Sequence, residues 1–319
     1  MLLIVTQRGD YHTDWVVIEL NARGIPFLRF NTEDYPVSTP LEWTSSGEAY
    51  LTIRGNRQPL SEVDAVWYRR PVPPVMPTEL PAPQAAWARG EAREALMGAW
   101  RTLDALWVNH PDRNRVAESK LLQLRTAVDL GFEVPKSLVS NSREMVSAFL
   151  DEHPDGVVCK PLYDGRVPVD GEDQLFFTSG VDRETISLRE LGPEPYLFQE
   201  LIPKRYDIRA TVIGEEVFAA RIDSQRTADT RTDWRRGHPG ELDHAAVELP
   251  DDVASRCVAL CERFGLHFGA IDLALRPDAG YTFFEVNPNG QWAWVEQRTG
   301  LPLRAQMVSL LASGRNALA

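Results

Sequence analysis

The stretch from Phe268 to Trp292, FGAIDLALRPDAGYTFFEVNPNGQW, places the tightest constraint on how this chain can fold. Two apolar runs, Ala270 to Leu275 and Tyr281 to Val286, flank an Arg-Pro-Asp-Ala-Gly turn, which is the pattern of a β-hairpin. Each run carries one acid among hydrophobic neighbours, Asp272 and Glu285, and an isolated carboxylate in an apolar strand is costly to bury. For either acid alone, pairing with an arginine at a strand end would suffice. Asp272, Glu285 and Asn287 together form an all-oxygen cluster of the kind a hard divalent cation neutralises, and we expect them to be metal ligands.

At 319 residues, 43% apolar and 25% charged, the chain has the composition of a soluble globular protein with room for two or three lobes. The opening MLLIVTQRGD has a five-residue apolar run and no basic region before it, and no run elsewhere approaches a membrane span. The expectation is a cytoplasmic protein without a membrane partner. Three cysteines fit a reducing compartment; Cys257 and Cys261 share a helical face without nearby histidines and read as buried apolar residues. A formal net charge of −12 argues against a phosphate-tracking nucleic-acid surface. Of 34 basic residues only four are lysines, Lys120, Lys136, Lys160 and Lys204. A lysine here either marks a place for a compact ammonium or reflects a genomic bias to arginine.

Residues 1 to 30 read strand, helix, strand, an α/β opening with neither G-x-G-x-x-G nor G-x-x-x-x-G-K-[ST]. Short segments follow, ending in Trp67-Tyr68-Arg69-Arg70-Pro71, where the two arginines are either a solvated strand end or a binding pair. Trp87, Leu96, Trp100, Leu103 and Leu106 recur at helical spacing, predicting a helix from Gln84 to Trp107 with its tryptophans in the core. One helix is expected from Arg115 to Leu130. A strand from Gly156 to Pro161 carries Lys160, and a loop rich in Asp and Gly runs from Tyr163 to Asp173 before a strand at Gln174 to Thr178. Strands at Tyr196 to Ile202, Asp207 to Ile213 and Glu216 to Arg221 precede a long polar stretch, Thr227 to His244, read as a functional loop. Helices are expected at Asp251 to Phe264, Ala293 to Gln297 and Pro302 to Ala312. The divisions are 1–108, 109–190 and 191–319.

Lys120 on a helix, Lys160 before a glycine-containing loop, Gln199-Glu200 ending a strand, and the acid cluster occur in an order that resembles the ATP-grasp superfamily. The resemblance spans roughly Asn109 to Ala312 and rests on E-V-N-P-N, backed by C-K-P-L and D-I-R. It implies an α/β fold of α+β lobes holding ATP between their sheets, behind an N-terminal α/β pre-ATP-grasp domain. By that likeness Lys120 and Lys160 are the phosphate-side and adenine-side lysines, and Gln199, Glu200, Leu201 and Ile202 the linker beside adenine. Glu200 or Asp207 would take the ribose hydroxyls, and Asp272, Glu285 and Asn287 would hold magnesium, as two ions. The loop around Asp164-Gly165-Arg166 would close over the triphosphate.

Within the superfamily the chain looks closest to the maturases of graspetides, the microviridin-like ribosomal peptides. That narrower likeness is carried by W-Y-R-R-P (67–71), S-K-L-L-Q-L (119–124), P-K-S-L-V-S-N (135–141), D-W-R (233–235) and N-P-N-G-Q-W (287–292). It implies ATP-dependent activation of Asp or Glu side chains of a precursor peptide as acyl phosphates, and their linkage to Thr, Ser or Lys as esters or amides. The partner would be a leader plus an acidic core, and the enzyme a homo-oligomer. Arg209, Arg235 and Arg221 are the expected catalytic arginines, with Arg69, Arg70, Trp234, Gln291 and Trp292 against the peptide. His238 and His244 are candidates for the base, or loop histidines without a role. A ligase adding a free amino acid to a peptide or protein end, and a regulatory ATP-binding module without turnover, are the alternatives.

Overall fold

The computed structural model describes all residues except 164, 170–171, 185–191, 238–239 and 315–319, and for 166–169 and 172–175 the backbone alone. The N-terminal lobe is built on a parallel sheet with order β2-β1-β6-β7. Its strands are β1 (Leu2–Thr6), β2 (Phe27–Asn31), β6 (Ala65–Tyr68) and β7 (Leu106–Val108), and β1 is buried along its whole length. Helix α1 (Tyr11–Ala22) starts at Asp10, whose Oδ1 accepts from the Thr13 backbone N at 2.9 Å. Strands β3 (Leu41–Trp43), β4 (Ala49–Ile53) and β5 (Asn56–Pro59) form a separate antiparallel sheet. Helix α2 (Ala82–Arg101) stops six residues short of the expected end. Leu106 and Trp107 belong instead to β7, where parallel pairing to Ala65 and Val66 decides their conformation. Trp100 and Trp107 are buried against each other, whereas Trp87 is 70% exposed because the first turns of α2 lie outside the core.

After β7 come two helices where one was expected, α3 (Pro111–Ala117) and α4 (Lys120–Asp129), with Ser119 as the N-cap between them, and Ala117 and Ala127 are buried in the core of the C-terminal sheet. Then come β8 (Ser137–Ser140), α5 (Arg143–Glu152), β9 (Val157–Lys160), β10 (Arg166–Val169), β11 (Glu172–Leu175), β12 (Ser179–Val181) and β13 (Tyr196–Glu200). The sheet order is β12-β9-β13-β8, all antiparallel. The segment expected to be a bare loop carries the antiparallel β10-β11 pair, and of the expected strand at 174–178 only residues 174 and 175 lie in a strand, the end of β11, since β12 begins at Ser179. Asp164 lies outside the described residues. Strand β13 follows the 190/191 division yet pairs within the central sheet, so the change of lobe comes after Glu200.

The C-terminal lobe is a five-stranded antiparallel sheet of order β16-β15-β14-β17-β18. It comprises β14 (Tyr206–Ile213), β15 (Glu216–Ile222), β16 (His244–Val247), β17 (Phe268–Leu275) and β18 (Tyr281–Asn287). Helix α6 (Asp251–Phe264), ended by Gly265 in the left-handed region at φ +66°, packs on one face, where Cys257 and Cys261 are buried with Ile208, Leu273 and Phe283. Helices α7 (Ala293–Thr299) and α8 (Leu303–Ser313) join the other face to the N-terminal sheet. Their core brings together Ile4, Trp67, Val108, Phe268, Ala270, Trp292 and Leu303. No helix among the described residues is long and apolar enough to cross a membrane.

Candidate active site

The register of the β17-β18 hairpin creates the site. Asp272 stands opposite Glu285, and Ala270 opposite Asn287, so the two acids and the amide occupy one face of the sheet. Arg209 on β14 stands opposite Asp272 from the other side. The register slips between Asp272 and Leu273, leaving Phe284 as the extra residue of a bulge, and its ring lines the cleft beside the acids.

Both acids are paired. Arg209 Nε lies 2.9 Å from Asp272 Oδ1, and Lys120 Nζ, at the N-terminus of α4, donates to Glu285 Oε2 at 2.6 Å. The Lys120 ammonium holds the Glu285 carboxyl well below the usual carboxylate range against burial, with Lys160 and Arg235 adding to it. Burial pushes the Asp272 carboxyl up despite Arg209, and the facing Glu285 charge reinforces that. No three His, Cys, Asp or Glu side chains among the described residues converge as a metal-binding group. The set here is two carboxylates and the Asn287 amide oxygen, an oxygen-only chemistry that fits a magnesium-type cation, with Asn287 Oδ1 oriented by the Asn289 backbone N at 2.9 Å.

The acids face a cleft between the central and C-terminal sheets. It brings together Lys160, Gln199, Glu200, Leu201, Ile202, Asp207, Trp234, Arg235, Asp272 and Glu285 of the residues expected from sequence. Lys160 ends β9 with its ammonium 4.9 Å from the centre of the Phe284 ring, and burial pushes its pKa down to about 8 although Glu285 opposes this. Gln199 is buried, its Nε2 donating to Ser137 Oγ at 3.0 Å. The linker is tied to the central sheet: Glu200 Oε1 accepts from the Lys136 backbone N at 2.7 Å, and Leu201 N donates to Gly156 O at 2.9 Å. Asp207 Oδ1 accepts from Lys204 Nζ at 2.8 Å, and burial raises its pKa against that charge.

The polar stretch after β15 crosses the cleft. Arg235 grips Asp233 through two bonds of 2.8 and 2.7 Å, Asp233 accepts from Thr178 N at 3.2 Å, and Arg236 donates to Ser179 Oγ at 2.7 Å. Burial works against the Asp233 charge, but the Arg235 bonds and charge outweigh it and keep the carboxyl low. Trp234 packs on Trp294 with ring centres 5.2 Å apart, and the Arg209 guanidinium lies 5.7 and 5.8 Å from the two rings.

Four expectations are corrected by packing. Arg221 stands opposite Ile208, on the α6 face of the sheet, and lies over the Tyr206 ring at 4.9 Å, away from the acids. Arg69 is 2% exposed, with Nη1 donating to the carbonyls of Asn289 and Gly290, so it cannot grip a peptide at the surface. Trp292 is fully buried between the lobes, edge-on to His12. His244 begins β16, half-buried against Trp294, where burial lowers its pKa; His238 lies outside the described residues. Arg70 and Gln291 are exposed, Arg70 with φ +46°. Sequence reasoning missed Lys204, Asp233, Phe284 and Trp294. The scarcity of lysine could have singled out Lys204, and D-W-R already contained Asp233.

Two α+β lobes enclosing a cleft, one bearing a half-buried lysine and the other an acid pair, define an ATP-grasp architecture. The chain belongs to the RimK-like ATP-grasp family, whose domain model matches residues 117–311, and the MvdD pre-ATP grasp domain matches residues 1–115. A RiPP-associated ATP-grasp ligase of Chryseobacterium gregarium, solved with ADP and a leader and core peptide, is 29% identical. The match covers 98% of this chain and 96% of that one, with a TM-score of 0.89. Macrocyclase MdnC of Microcystis aeruginosa MRC, solved with precursor peptide MdnA, is also 29% identical over 98% of this chain and 99% of its own, with a TM-score of 0.86. A probable alpha-L-glutamate ligase of Mannheimia succiniciproducens is 24% identical over 64% of this chain. The chain spans 66% of that relative's length, and 37% of a second such ligase from Enterobacter.

Proposed function

We propose that this chain is an ATP-dependent ligase that activates Asp or Glu side chains of a ribosomal precursor peptide, leader plus acidic core, and joins them to Thr, Ser or Lys side chains of the same peptide. The observation that carries the reading is the cleft with Asp272 and Glu285 on one wall and Lys160 on the other, Asn287 sharing the sheet face of the acids, in a chain similar along nearly its whole length to two peptide-bound relatives. The substrate carboxylate attacks the γ-phosphorus and ADP leaves, giving an acyl phosphate. The hydroxyl or amine then adds to the acyl carbon and phosphate departs, forming the ester or amide. Magnesium, when bound at Asp272, Glu285 and Asn287, supplies charge neutralisation for the phosphates.

The chain's own residues supply the rest. Lys160 and Lys120 present ammonium groups to the nucleotide, and Gln199 to Ile202 with Phe284 form the slot for its base. Asp207 or Glu200 takes the ribose. Arg209, fixed between Asp272 and two indole rings, presents a preorganised cation to the transferring phosphoryl and the substrate carboxylate, and Arg235 lines the cleft with Asp272 and Glu285. Arg70, Trp234 and Gln291 remain the peptide-side residues of this reading.

Similarity to the glutamate ligases supports a second reading, addition of a free amino acid to a peptide end. Incubation with ATP, Mg²⁺ and a peptide encoded beside the gene separates the two by intact mass. A crosslink removes one water per bond, whereas an added glutamate raises the mass. An unchanged mass with no ADP formed would overturn both.

A further inference from the structure

The turn that follows the metal ligands is held by side chains from three other parts of the molecule. β18 is an edge strand, so its outer backbone groups have no strand partner at Val286. Gln123 of α4 takes that place: its Oε1 accepts from Val286 N at 3.0 Å and its Nε2 donates to Val286 O at 2.9 Å. Asn109, just after β7, donates through Nδ2 to Phe268 O at 2.8 Å and Pro288 O at 2.9 Å. Its Oδ1 accepts from His267 N and Phe268 N, each at 2.9 Å. Arg69, at the end of β6, donates through Nη1 to Asn289 O at 2.6 Å and Gly290 O at 3.1 Å. Gly290 itself has no room for a side chain, since a Cβ there would come within 2.3 Å of the Ala270 Cβ. Gln123, Asn109 and Arg69 are all at least 97% buried.

We propose that Arg69, Asn109 and Gln123 are positioning residues that fix the 286–290 turn, and through it the Glu285 and Asn287 oxygens, in ligating geometry. The link to the ligands is short. Val286 lies between Glu285 and Asn287, and Asn289, whose carbonyl Arg69 holds, orients Asn287 Oδ1 through its own N–H. Arg69 and Asn109 bring the N-terminal lobe into the metal site, so metal affinity is set partly by how that lobe packs. This inference rests on the metal assignment made above.

The test titrates Mn²⁺ into the full-length protein with ADP, read by electron paramagnetic resonance, beside calorimetric ADP binding in EDTA. Outer-shell partners of metal ligands contribute about 10- to 100-fold in affinity. Arg69→Met and Gln123→Met, on separate elements, should each weaken Mn²⁺ by at least about tenfold in that range while leaving metal-free ADP binding unchanged, and Arg69→Lys should recover part of the loss. Unchanged Mn²⁺ affinity in a folded Arg69→Met or Gln123→Met overturns the positioning role. Equal weakening of metal-free ADP binding overturns it too, by showing a general distortion of the cleft. Glu285→Gln separates the two levels: if it leaves Mn²⁺ binding intact, the metal assignment itself fails, and the positioning role with it.

Discussion

Arg209 and Arg221 occupy neighbouring strands of one antiparallel sheet, and their surroundings differ because their registers differ by one residue. Arg209 stands opposite Asp272, on the face that carries Glu285 and Asn287 and looks into the cleft. Arg221 stands opposite Ile208, on the face packed with α6, and rests on Tyr206. In a strand successive side chains alternate between faces, so a single step in register separates an arginine beside the reacting groups from one on the far side of the sheet. In this lobe the candidate site residues share the face toward the cleft, and the opposite face is packed against α6.

The largest effect that would test this division is at Glu285. Glu285→Gln keeps the shape but removes the charge paired with Lys120, and peptide-dependent phosphate release should fall roughly 10²- to 10³-fold, as for loss of one preorganised electrostatic group. A loss below tenfold would break the assignment of chemistry to this face. Arg209→Met comes next. It leaves Asp272 without its partner in a largely buried setting, and the melting transition should show a loss of about 2 to 3 kcal/mol after allowance for the carboxylate's partial contact with water. Adding Asp272→Asn should restore much of that stability without restoring activity.

Lys160 gives an intermediate effect. Its pKa is pushed down to about 8, so above that pH the free protein has lost the ammonium that anionic nucleotide binding favours. Binding then takes up a proton, and ATP affinity should fall about tenfold per pH unit above 8 while levelling off below it. Calorimetry in buffers of different ionisation enthalpy measures that uptake, and Lys160→Met should abolish the slope. The smallest effect is at Arg221. Arg221→Met should leave kcat/KM within about twofold, because a side chain on the α6 face touches no reacting group. A tenfold loss there would erase the contrast between the faces.

Much of the candidate site was legible because its signals are local. An acid in an apolar run, a lysine in a lysine-poor chain and the N-P-N-G turn need only a few neighbours to stand out, and Lys160, Glu200, Asp207, Asp272 and Glu285 do line one cleft. Arg69 and Trp292 misled for the opposite reason: an arginine or tryptophan beside a motif looks the same in sequence whether it meets a ligand or the next lobe. Trp87 and Trp100 share a helical period, but only Trp100 lies where α2 meets the N-terminal sheet. β7 was hidden inside a helical pattern because three residues are too few to show a period of two, and parallel pairing to β6 supplies what the local sequence lacks.

By itself the sequence determined the β17-β18 hairpin, the oxygen set at its end, the lysines that answer it and the resemblance to ATP-grasp ligases, all of which depend on residue chemistry at short range. Only the tertiary structure decided that Arg209 faces the acids while Arg221 does not, and that Lys120 reaches Glu285 across 165 residues. It also decided that the 286–290 turn is braced by Arg69, Asn109 and Gln123. Each of these depends on register or on the packing of one lobe against another, and those are set by contacts between segments far apart in the chain.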